Sequence, residues 1–485
     1  MVRWFEVRFL ALLTFCACSM SGCGGGGGGV ETGFVGGDGV LAGPAGGGGN
    51  VQTDGPEGGA QVQDEVDALL RAAMADAGVQ APQTPPVQDP DLVALGRALM
   101  FDKILSGNKD ISCATCHAPT LATGDDLSVS IGTGGVGAGS NRVLGAGREL
   151  GPRNAPPLFN LFGVDTLFWD GRVHRSTDGS FDTPAGAALP VGLDSALAAQ
   201  AMFPVTSRNE MRGESGDNTV LSESNELALI DDADLPAQWA GLMDRLRNIP
   251  GYTSLFQAAY PGVATDDLGF EHAANAIAAF ETEQFGSFDS PFDQYLRGDD
   301  SALTDQQKQG ALLFYGRARC AECHSGTLLS DFQFHNIAAP QVGPGRDPDA
   351  PLDLGRFTET GQQGDRFRFR TPILRNVADT GPWMHAGAYT SLQAVVGHYR
   401  NPANALRNYD GGQLRGDLQS LVFNQQQLNA GILNNLDPRV AQPLQLSGPE
   451  VQAIVAFLGS LTDPTAVSRA SDVPSNVPSG LPVND

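Results

Sequence analysis

Two copies of one five-residue pattern constrain this chain more than any other feature. Cys113-Ala-Thr-Cys116-His117 and Cys320-Ala-Glu-Cys323-His324 each place two thiols three positions apart, with a histidine directly after the second. At this spacing two cysteines can add to the vinyl groups of one haem while the histidine ligates its iron. The sequence therefore predicts two covalently bound c-type haems.

Other uses of paired cysteines explain the pattern less well. A zinc site built from two Cys-x-x-Cys pairs would normally separate them by about 15–20 residues and would not need the trailing histidines. A thioredoxin-like redox pair explains neither the duplication nor the histidines, and a disulfide closing a two-residue loop would stabilise little. Of the other cysteines, Cys16 and Cys18 lie in the apolar start of the chain and Cys23 directly follows it.

The N-terminal sequence predicts export. Residues 1–22 read as a signal peptide, with arginines before an apolar run that is too short to span a bilayer. The run ends at Met-Ser-Gly-Cys23, which resembles a lipobox and predicts acylation of Cys23; an ordinary signal peptide with a chance cysteine is the alternative. Residues 23–63 are expected to be a Gly-rich tether. Together these features predict a periplasmic protein that contacts the outer membrane only through its lipid.

The composition narrows the range of partners. The formal charge of −25 argues against nucleic acid and anionic lipid surfaces and favours a basic or neutral protein partner. The final residues, 465–485, are rich in Pro, Ser, Val and Asn and are expected to be disordered.

The sequence around the two pentads is repeated. "PPLFN" ends at Asn160 and "PILRN" at Asn376, and eleven positions after each asparagine stands a glycine. Upstream, "GRALMF" from Gly96 parallels "GALLF" from Gly310, each an amphipathic stretch that leads into its pentad. Helices are expected near 64–77, 91–102, 235–247, 265–284, 304–316, 391–399 and 447–461, whereas strand patterns are scarce. We expect a mainly α fold of two tandem cytochrome c-like haem domains with long loops, over 64–300 and 301–464.

The motifs resemble those of a known family. "RNAPPLFN", "LFWDGR", "SPFDQYL", "RTPILRN" and "WMHAGAYTSLQAVVGHY" occur in the order found in the bacterial di-haem cytochrome c peroxidase family, including its MauG-like branch. The resemblance implies reduction of hydrogen peroxide at the N-terminal haem, with electrons entering at the C-terminal haem. In some branches the oxidising equivalents are spent on a protein side chain.

The resemblance also implies roles for individual residues. His117 and His324 would be the proximal iron ligands, and Trp169 would lie between the two haems. Gln200, Pro204 and Glu210 occupy the family's distal segment: Gln200 would hydrogen-bond peroxide, Pro204 would keep side chains off the iron, and Glu210 would transfer protons. A carboxylate near the iron can both accept and return a proton. Calcium would bind between the haems through the side chain of Asn154 and the carbonyls of Thr380 and Pro382.

Two positions bear on the branch of the family. The second ligand of the C-terminal haem is methionine in the peroxidases proper and tyrosine in the MauG-like branch, and this position falls on Tyr399, with His398 as the rival ligand. Where peroxidases proper often carry a distal histidine, this chain has Thr133. The next histidine, His174, is expected to be an ordinary polar loop residue.

Three functions are therefore open. The first is a peroxidase that takes electrons from a small cytochrome c or cupredoxin. The second is a MauG-like enzyme that uses peroxide to oxidise tryptophan or tyrosine on a partner protein. The third is a di-haem electron carrier, which would need no open iron.

Overall fold

The computed structural model describes residues 56–346 and 348–483, with side chains from residue 63 onward. The expected signal peptide, Cys23 and most of the tether lie outside these residues. The described chain is mostly helical, which confirms the mainly α prediction, and none of its helices is long and apolar enough to cross a membrane. The α-helices are α1 (Pro56–Asp76), α2 (Pro90–Phe101), α3 (Cys113–Cys116), α4 (Ala196–Ala201), α5 (Leu235–Arg247), α6 (Pro250–Ala259), α7 (Phe270–Gln284), α8 (Pro291–Leu296), α9 (Asp305–Tyr315), α10 (Phe357–Thr360), α11 (Leu392–Arg400), α12 (Pro402–Arg407), α13 (Gln426–Leu433), α14 (Pro438–Ala441) and α15 (Gly448–Gly459).

The strands are short and antiparallel. Three form one sheet in the order β1-β2-β3, and the others pair as β4 with β6 and β5 with β7. Their bounds are β1 (Thr166–Leu167), β2 (Val173–Arg175), β3 (Phe181–Asp182), β4 (Phe334–His335), β5 (Gln341–Val342), β6 (Phe369–Arg370) and β7 (Val422–Phe423). His174 lies on β2 and its Nδ1 is 2.9 Å from Thr166 Oγ1 across the β1–β2 pair.

The same close helix crossing occurs twice. In the N-terminal half α2 packs on α7, and a Cβ built on Gly96 would lie 1.8 Å from the carbonyl oxygen of Ala276. In the C-terminal half α9 packs on α15, and a Cβ on Gly310 would lie 1.9 Å from the carbonyl oxygen of Ala453. Only glycine allows the two backbones to approach this closely. The glycines that begin the repeated "GRALMF" and "GALLF" stretches therefore have the same packing role in both halves.

The repeated asparagines also have equivalent positions. Asn160 and Asn376 both adopt left-handed backbone conformations, at φ 57° and 61°. The main-chain N–H of Asn160 donates to the carbonyl of Phe285, just after α7, and that of Asn376 donates to Leu461, just after α15. Each asparagine thus connects the loop that follows its pentad to the C-terminal end of a packed helix, α7 in the N-terminal half and α15 in the C-terminal half.

The N-terminal helix packs on the C-terminal half, whereas the sequence-based prediction places residues from 64 onward in the N-terminal domain. Helix α1 already begins at Pro56, inside the expected tether, and packs against α9. Asp67 pairs with Lys308 at 2.8 Å and accepts the hydroxyl of Tyr295 at 2.7 Å, in a site largely closed to water. Leu70 and Met74 join the same apolar core as Tyr295. The charged partners of α1 are too distant in sequence for local patterning to reveal them.

The C-terminal segment packs on the N-terminal half, although its composition predicted disorder. Val477 and Leu481 are buried in the core that contains α2 and α7. Ser479 donates its hydroxyl to Asp102 at 2.6 Å, and Arg97 donates to the carbonyl of Asp472 at 2.7 Å. A few apolar residues and one buried carboxylate order this segment despite its proline and serine content.

A buried network of charges joins the two halves. Arg153 of the N-terminal half contacts Asp170 and also Asp353 of the C-terminal half, each at 2.6 Å. Arg346 of the C-terminal half reaches the same Asp170. Burial alone would raise the pKa of Asp170, but Arg153, Arg172 and Arg346 hold it far below its usual range. The Asp170 carboxylate is therefore ionised. Its ion pairs hold the two halves in a fixed relative position at the level of the candidate haem sites.

Candidate haem sites

The first pentad opens into a large cavity in the N-terminal half. Its wall includes Cys113, Cys116 and His117 and also residues of the predicted distal segment. Gln200, Pro204 and Glu210, which are about ninety positions further along the chain, line this same cavity. The structure therefore brings the sequence-predicted proximal and distal residues together.

Each pentad histidine is oriented by a main-chain carbonyl. His117 Nδ1 lies 3.2 Å from the oxygen of Thr123, and His324 Nδ1 lies 3.0 Å from that of Leu329. A carbonyl partner fixes Nδ1 as the protonated nitrogen, so Nε2 remains for iron. Burial lowers the pKa of His117 to about 4 and also lowers that of His324. Both imidazoles are thus neutral, as a metal ligand must be.

The distal carboxylate stands on a short π-helix, Arg208–Arg212. The N–H groups of Met211 and Arg212 both donate to the carbonyl of Ser207, at 3.0 and 2.9 Å, and Gly213 ends the turn at φ 82°. Such widened turns are rare and occur mostly at functional sites. Gln200 lies near the end of α4, whose start is capped by Ser195.

The charge on Glu210 is set by opposing effects. Burial raises the pKa of its carboxyl, and the positive charges of Arg172, Arg346 and Arg153 act against that rise. The net pKa lies above the ordinary value, so this carboxyl holds a proton more readily than a solvated glutamate. A group that both accepts and donates a proton works best when its pKa is raised in this way towards the working pH.

The loop that contains Thr133 lies against the π-helix. The N–H of Thr133 donates to the carbonyl of Glu210 at 2.8 Å, while its hydroxyl donates to Asp110 at 2.8 Å. A Cβ on Gly132 would lie 2.1 Å from the carbonyl oxygen of Asn209, so the contact requires glycine. The segment that would carry a distal histidine therefore supports the backbone of Glu210, with the threonine side chain bound to Asp110.

Sequence reasoning missed several charged residues of this cavity. Arg172 and Arg346 line it together with Glu281, from α7. Burial raises the pKa of Glu281 to about 8, so the carboxyl stays largely protonated at neutral pH. The sequence signal for Glu281 is a charged residue in the alanine-rich helix α7. Arg346 comes from the other half and could not be assigned to this cavity from sequence.

The second pentad opens into a mostly apolar cavity in the C-terminal half. Cys320, Cys323 and His324 line it with Tyr399 and Trp383. Together with the thiols and imidazoles, the apolar walls of both cavities fit a haem. Cys323 also lies near Asp331 and His335 in a group with metal-binding side chains. A cysteine bonded to haem is no metal ligand, and His335 is already held between Asp331 at 2.9 Å and Asp437 at 2.7 Å.

The two candidate ligands at the end of α11 face different surroundings. Both ring nitrogens of His398 are engaged, Nδ1 with the hydroxyl of Tyr389 at 2.9 Å and Nε2 with the carbonyl of Ile337 at 2.7 Å. Tyr399, one position on, lines the cavity with the pentad. Adjacent helical residues point about 100° apart, so the turn that directs Tyr399 to the cavity turns His398 away.

Two residues line both cavities. Trp169 and Asn154 occur in both walls, and the indole N–H of Trp169 donates to the carbonyl of Asn154 at 3.0 Å. The side-chain amide of Asn154 donates to the carbonyl of Leu127 at 2.8 Å, which leaves its oxygen for another partner. Thr380 and Pro382 line the second cavity together with Asn154.

Comparison with known proteins gives a consistent picture. The sequence pattern of the family described as di-haem cytochrome c peroxidase matches residues 90–301. The chain is 30% identical over 407 residues to the methylamine utilization protein MauG of Methylorubrum extorquens, covering 84% of this chain and 88% of that protein. It is 32% identical to the cytochrome c551 peroxidase of Pseudomonas aeruginosa, over 62% of this chain and 69% of that one.

Solved structures support the fold. A MauG-like protein associated with microbial copper homeostasis superposes with a TM-score of 0.55 at 24% identity, covering 80% of this chain and 95% of that one. The diheme peroxidase BthA of Burkholderia thailandensis gives a TM-score of 0.53 at 22% identity, covering 84% of this chain and 96% of that one. The predicted family is confirmed: this chain belongs to the di-haem cytochrome c peroxidase and MauG family of peroxide-using oxidoreductases, which carry two c-type haems.

Proposed function

We propose that the protein is a periplasmic peroxidase with tandem haem domains. It reduces hydrogen peroxide at the haem bound to Cys113, Cys116 and His117. Electrons arrive through the haem bound to Cys320, Cys323 and His324. The observation that carries the proposal is the shared cavity of the first pentad and the distal residues Gln200, Pro204 and Glu210.

The distal residues have distinct roles in this proposal. When bound, the haem supplies the iron that exchanges electrons with peroxide. Glu210 would take a proton from one oxygen of peroxide and deliver it to the other, so that the O–O bond breaks and one water leaves; two electrons from the haems and two protons would convert the remaining oxygen to a second water. Gln200 donates a hydrogen bond that orients the peroxide. Pro204 offers no side chain that could ligate iron, so the position stays open to substrate.

The residues between the cavities provide the route for electrons. Trp169 lines both cavities, and its hydrogen bond to Asn154 fixes the indole in that position. We assign it the relay between the haems. The free side-chain oxygen of Asn154 and the carbonyls of Thr380 and Pro382 are the proposed calcium ligands, since hard oxygen donors suit that cation.

The electron donor is proposed to be a small, basic redox protein, either a cytochrome c or a cupredoxin. The net charge of −25 would attract such a donor and increase the rate of encounter. Export by the signal peptide would bring the chain to the periplasm, and acylation of Cys23 would hold it at the outer membrane.

A second function is favoured by Tyr399 and Thr133. A phenolate ligand stabilises oxidised iron more than a thioether does, and Tyr399 lines the second cavity while His398 is engaged elsewhere. A site without a distal histidine would be open to peroxide before any reduction. These features favour a MauG-like enzyme that oxidises tryptophan or tyrosine on a partner protein. A simple electron carrier would make no use of Glu210 and Gln200.

One experiment separates the candidates. Peroxide is added to the fully oxidised protein, and the absorption of both haems is followed in time. Rapid formation of a long-lived spectral change would support the MauG-like function. Inertness until one haem is reduced by an added small cytochrome would support the peroxidase proper. If peroxide has no effect on either form, the assigned peroxide chemistry is wrong and the carrier function remains.

A further inference from the structure

His385 is a buried imidazole without a partner. Its side chain lies in the wall of the second cavity, and the residue is 2% exposed. Neither Nδ1 nor Nε2 has a hydrogen-bond partner among the described residues. The ring stacks on Phe369, with centroids 3.7 Å apart and planes 12° from parallel. An imidazole has at least one N–H to donate, and leaving it unpaired in the interior is unfavourable.

Arg370, in the same wall, is a buried cation that forms no ion pair with a described residue; the charge of Asp170, which is already bound by Arg153, Arg172 and Arg346, only partly offsets the effect of burial on the pKa of Arg370. It is 7% exposed, and its guanidinium donates only to carbonyls, those of Phe168 at 3.1 Å and Thr371 at 3.4 Å. No ion pair to Arg370 occurs in the described part of the chain, whereas Arg375, which is 1% exposed, is paired with Asp293. Burial lowers the pKa of Arg370 to about 10, so the group is still charged at neutral pH.

Both side chains therefore need an acceptor that enters the cavity, and for Arg370 that acceptor should be anionic. A haem carries two propionate carboxylates, and arginine binds carboxylates strongly through paired N–H groups. Arg370 and His385 both line the second cavity, so one ligand in that cavity can reach both side chains. We propose that Arg370 and His385 bind the propionates of the second haem. This inference rests on the proposed assignment of that haem to Cys320, Cys323 and His324.

The backbones of Arg370 and His385 are hydrogen-bonded to the residues shared by the two cavities. The main-chain N–H of Arg370 donates to the carbonyl of Trp169 at 2.8 Å, and that of Asn154 donates to the carbonyl of His385 at 2.8 Å. Trp169 donates in turn to Asn154. These bonds link the proposed propionate ligands directly to the residue shared by the cavities. Propionates held by these two side chains would be linked through this backbone to Trp169, and Arg370 and His385 would act as positioning residues for electron transfer.

The test is a redox titration of the complete two-haem protein, performed without peroxide. Arg370→Gln removes a positive charge beside the second haem and should shift its midpoint potential to a more negative value, leaving the first haem unchanged. Arg370→Lys keeps the charge and should restore most of the potential. His385→Phe removes a neutral donor and should cause a smaller shift of the same sign. In resonance Raman spectra, the propionate bending band of the second haem should move in Arg370→Gln and His385→Phe.

Arg366→Gln is the matched control, because Arg366 lies over the rings of Phe357 and Phe367 and does not line the cavity. It should change neither potential. Unchanged potentials and Raman bands in Arg370→Gln and His385→Phe, with full haem content, would overturn the proposal; so would an equal shift of both haems. If Arg370→Gln fails to fold, Arg370→Lys and His385→Phe still give the Raman readout. Because no peroxide is used, the result is independent of whether the protein is a peroxidase.

Discussion

Glu210 and Thr133 are joined through their backbones, because the N–H of Thr133 donates to the carbonyl of Glu210 at 2.8 Å. The loop after the first pentad thus supports the distal carboxylate, although the two residues are far apart in the sequence. A distal histidine at position 133 would compete with peroxide for iron. Here the threonine hydroxyl is bound to Asp110 instead.

The role of Glu210 is tested by its replacement with glutamine, which keeps the shape and removes proton transfer. The rate of peroxide cleavage, measured by stopped-flow absorption, should fall by about 10²–10⁴. Glu149→Gln is the control, since Glu149 is an exposed carboxylate that lines the same cavity. Equal rates in Glu210→Gln and the parent protein would remove Glu210 from the mechanism.

The pH dependence of the peroxide reaction follows from the pKa of Glu210. Only the ionised carboxylate can take the first proton, and burial raises its pKa above the ordinary 4.5. The rate should therefore fall as pH decreases, with a midpoint above 4.5, and recover as pH rises. This step should be missing from the pH profile of Glu210→Gln. A midpoint at or below 4.5, or an identical step in the variant, would contradict the assignment.

The ligand of the second haem is tested by spectroscopy of tyrosine variants. Tyr399→Phe should alter the absorption and electron spin resonance spectra of one haem and leave the other unchanged. Tyr409→Phe is a matched control, because the hydroxyl of Tyr409 donates to the carbonyl of Ala388 in a buried position outside the cavity. If His398→Gln rather than Tyr399→Phe changes the spectrum, the ligand is His398.

The docking of α1 on the C-terminal half is tested at its buried ion pair. Asp67→Asn leaves Lys308 as an uncompensated buried charge and should reduce the free energy of unfolding by about 3–5 kcal/mol. Glu65→Gln, at an exposed position on the same helix, should change it by no more than about 0.5 kcal/mol. Denaturant unfolding followed by circular dichroism measures both. An equally small effect of both variants would mean that α1 is not held by this pair.

The C-terminal segment is expected to stabilise the N-terminal half. Leu481 is buried against that core, so Leu481→Ala should cost about 2–5 kcal/mol in the free energy of unfolding. Val483→Ala, two positions on, is the milder comparison, since Val483 is only partly buried against the same core. If the Leu481→Ala protein is as stable as its parent, the C-terminal segment does not stabilise the N-terminal half. The disorder predicted from its composition would then describe it better.

Local sequence determined much of the protein. The pentads carry their own chemistry, because thiol spacing within one turn decides whether haem can attach. The helices expected near 91–102, 235–247 and 304–316 occur as α2, α5 and α9, since their periodicity and caps act within a few residues. The few strands were harder to foresee, because each is only two or three residues long and depends on a partner elsewhere in the chain.

Tertiary structure decided what depends on distant partners. Sequence left Tyr399 and His398 as rivals, and only the structure shows that His398 is hydrogen-bonded to Tyr389 and Ile337 while Tyr399 lines the cavity. The exchange of terminal segments between the halves, through Asp67 and Leu481, depends on contacts more than two hundred positions apart. Arg370 and His385 could not be singled out from the sequence for the same reason. A buried side chain that lacks an ion-pair or hydrogen-bond partner can be recognised only when all its neighbours are known. Spacing along the chain fixes covalent attachment and helix periodicity, whereas burial and charge pairing are properties of the packed molecule.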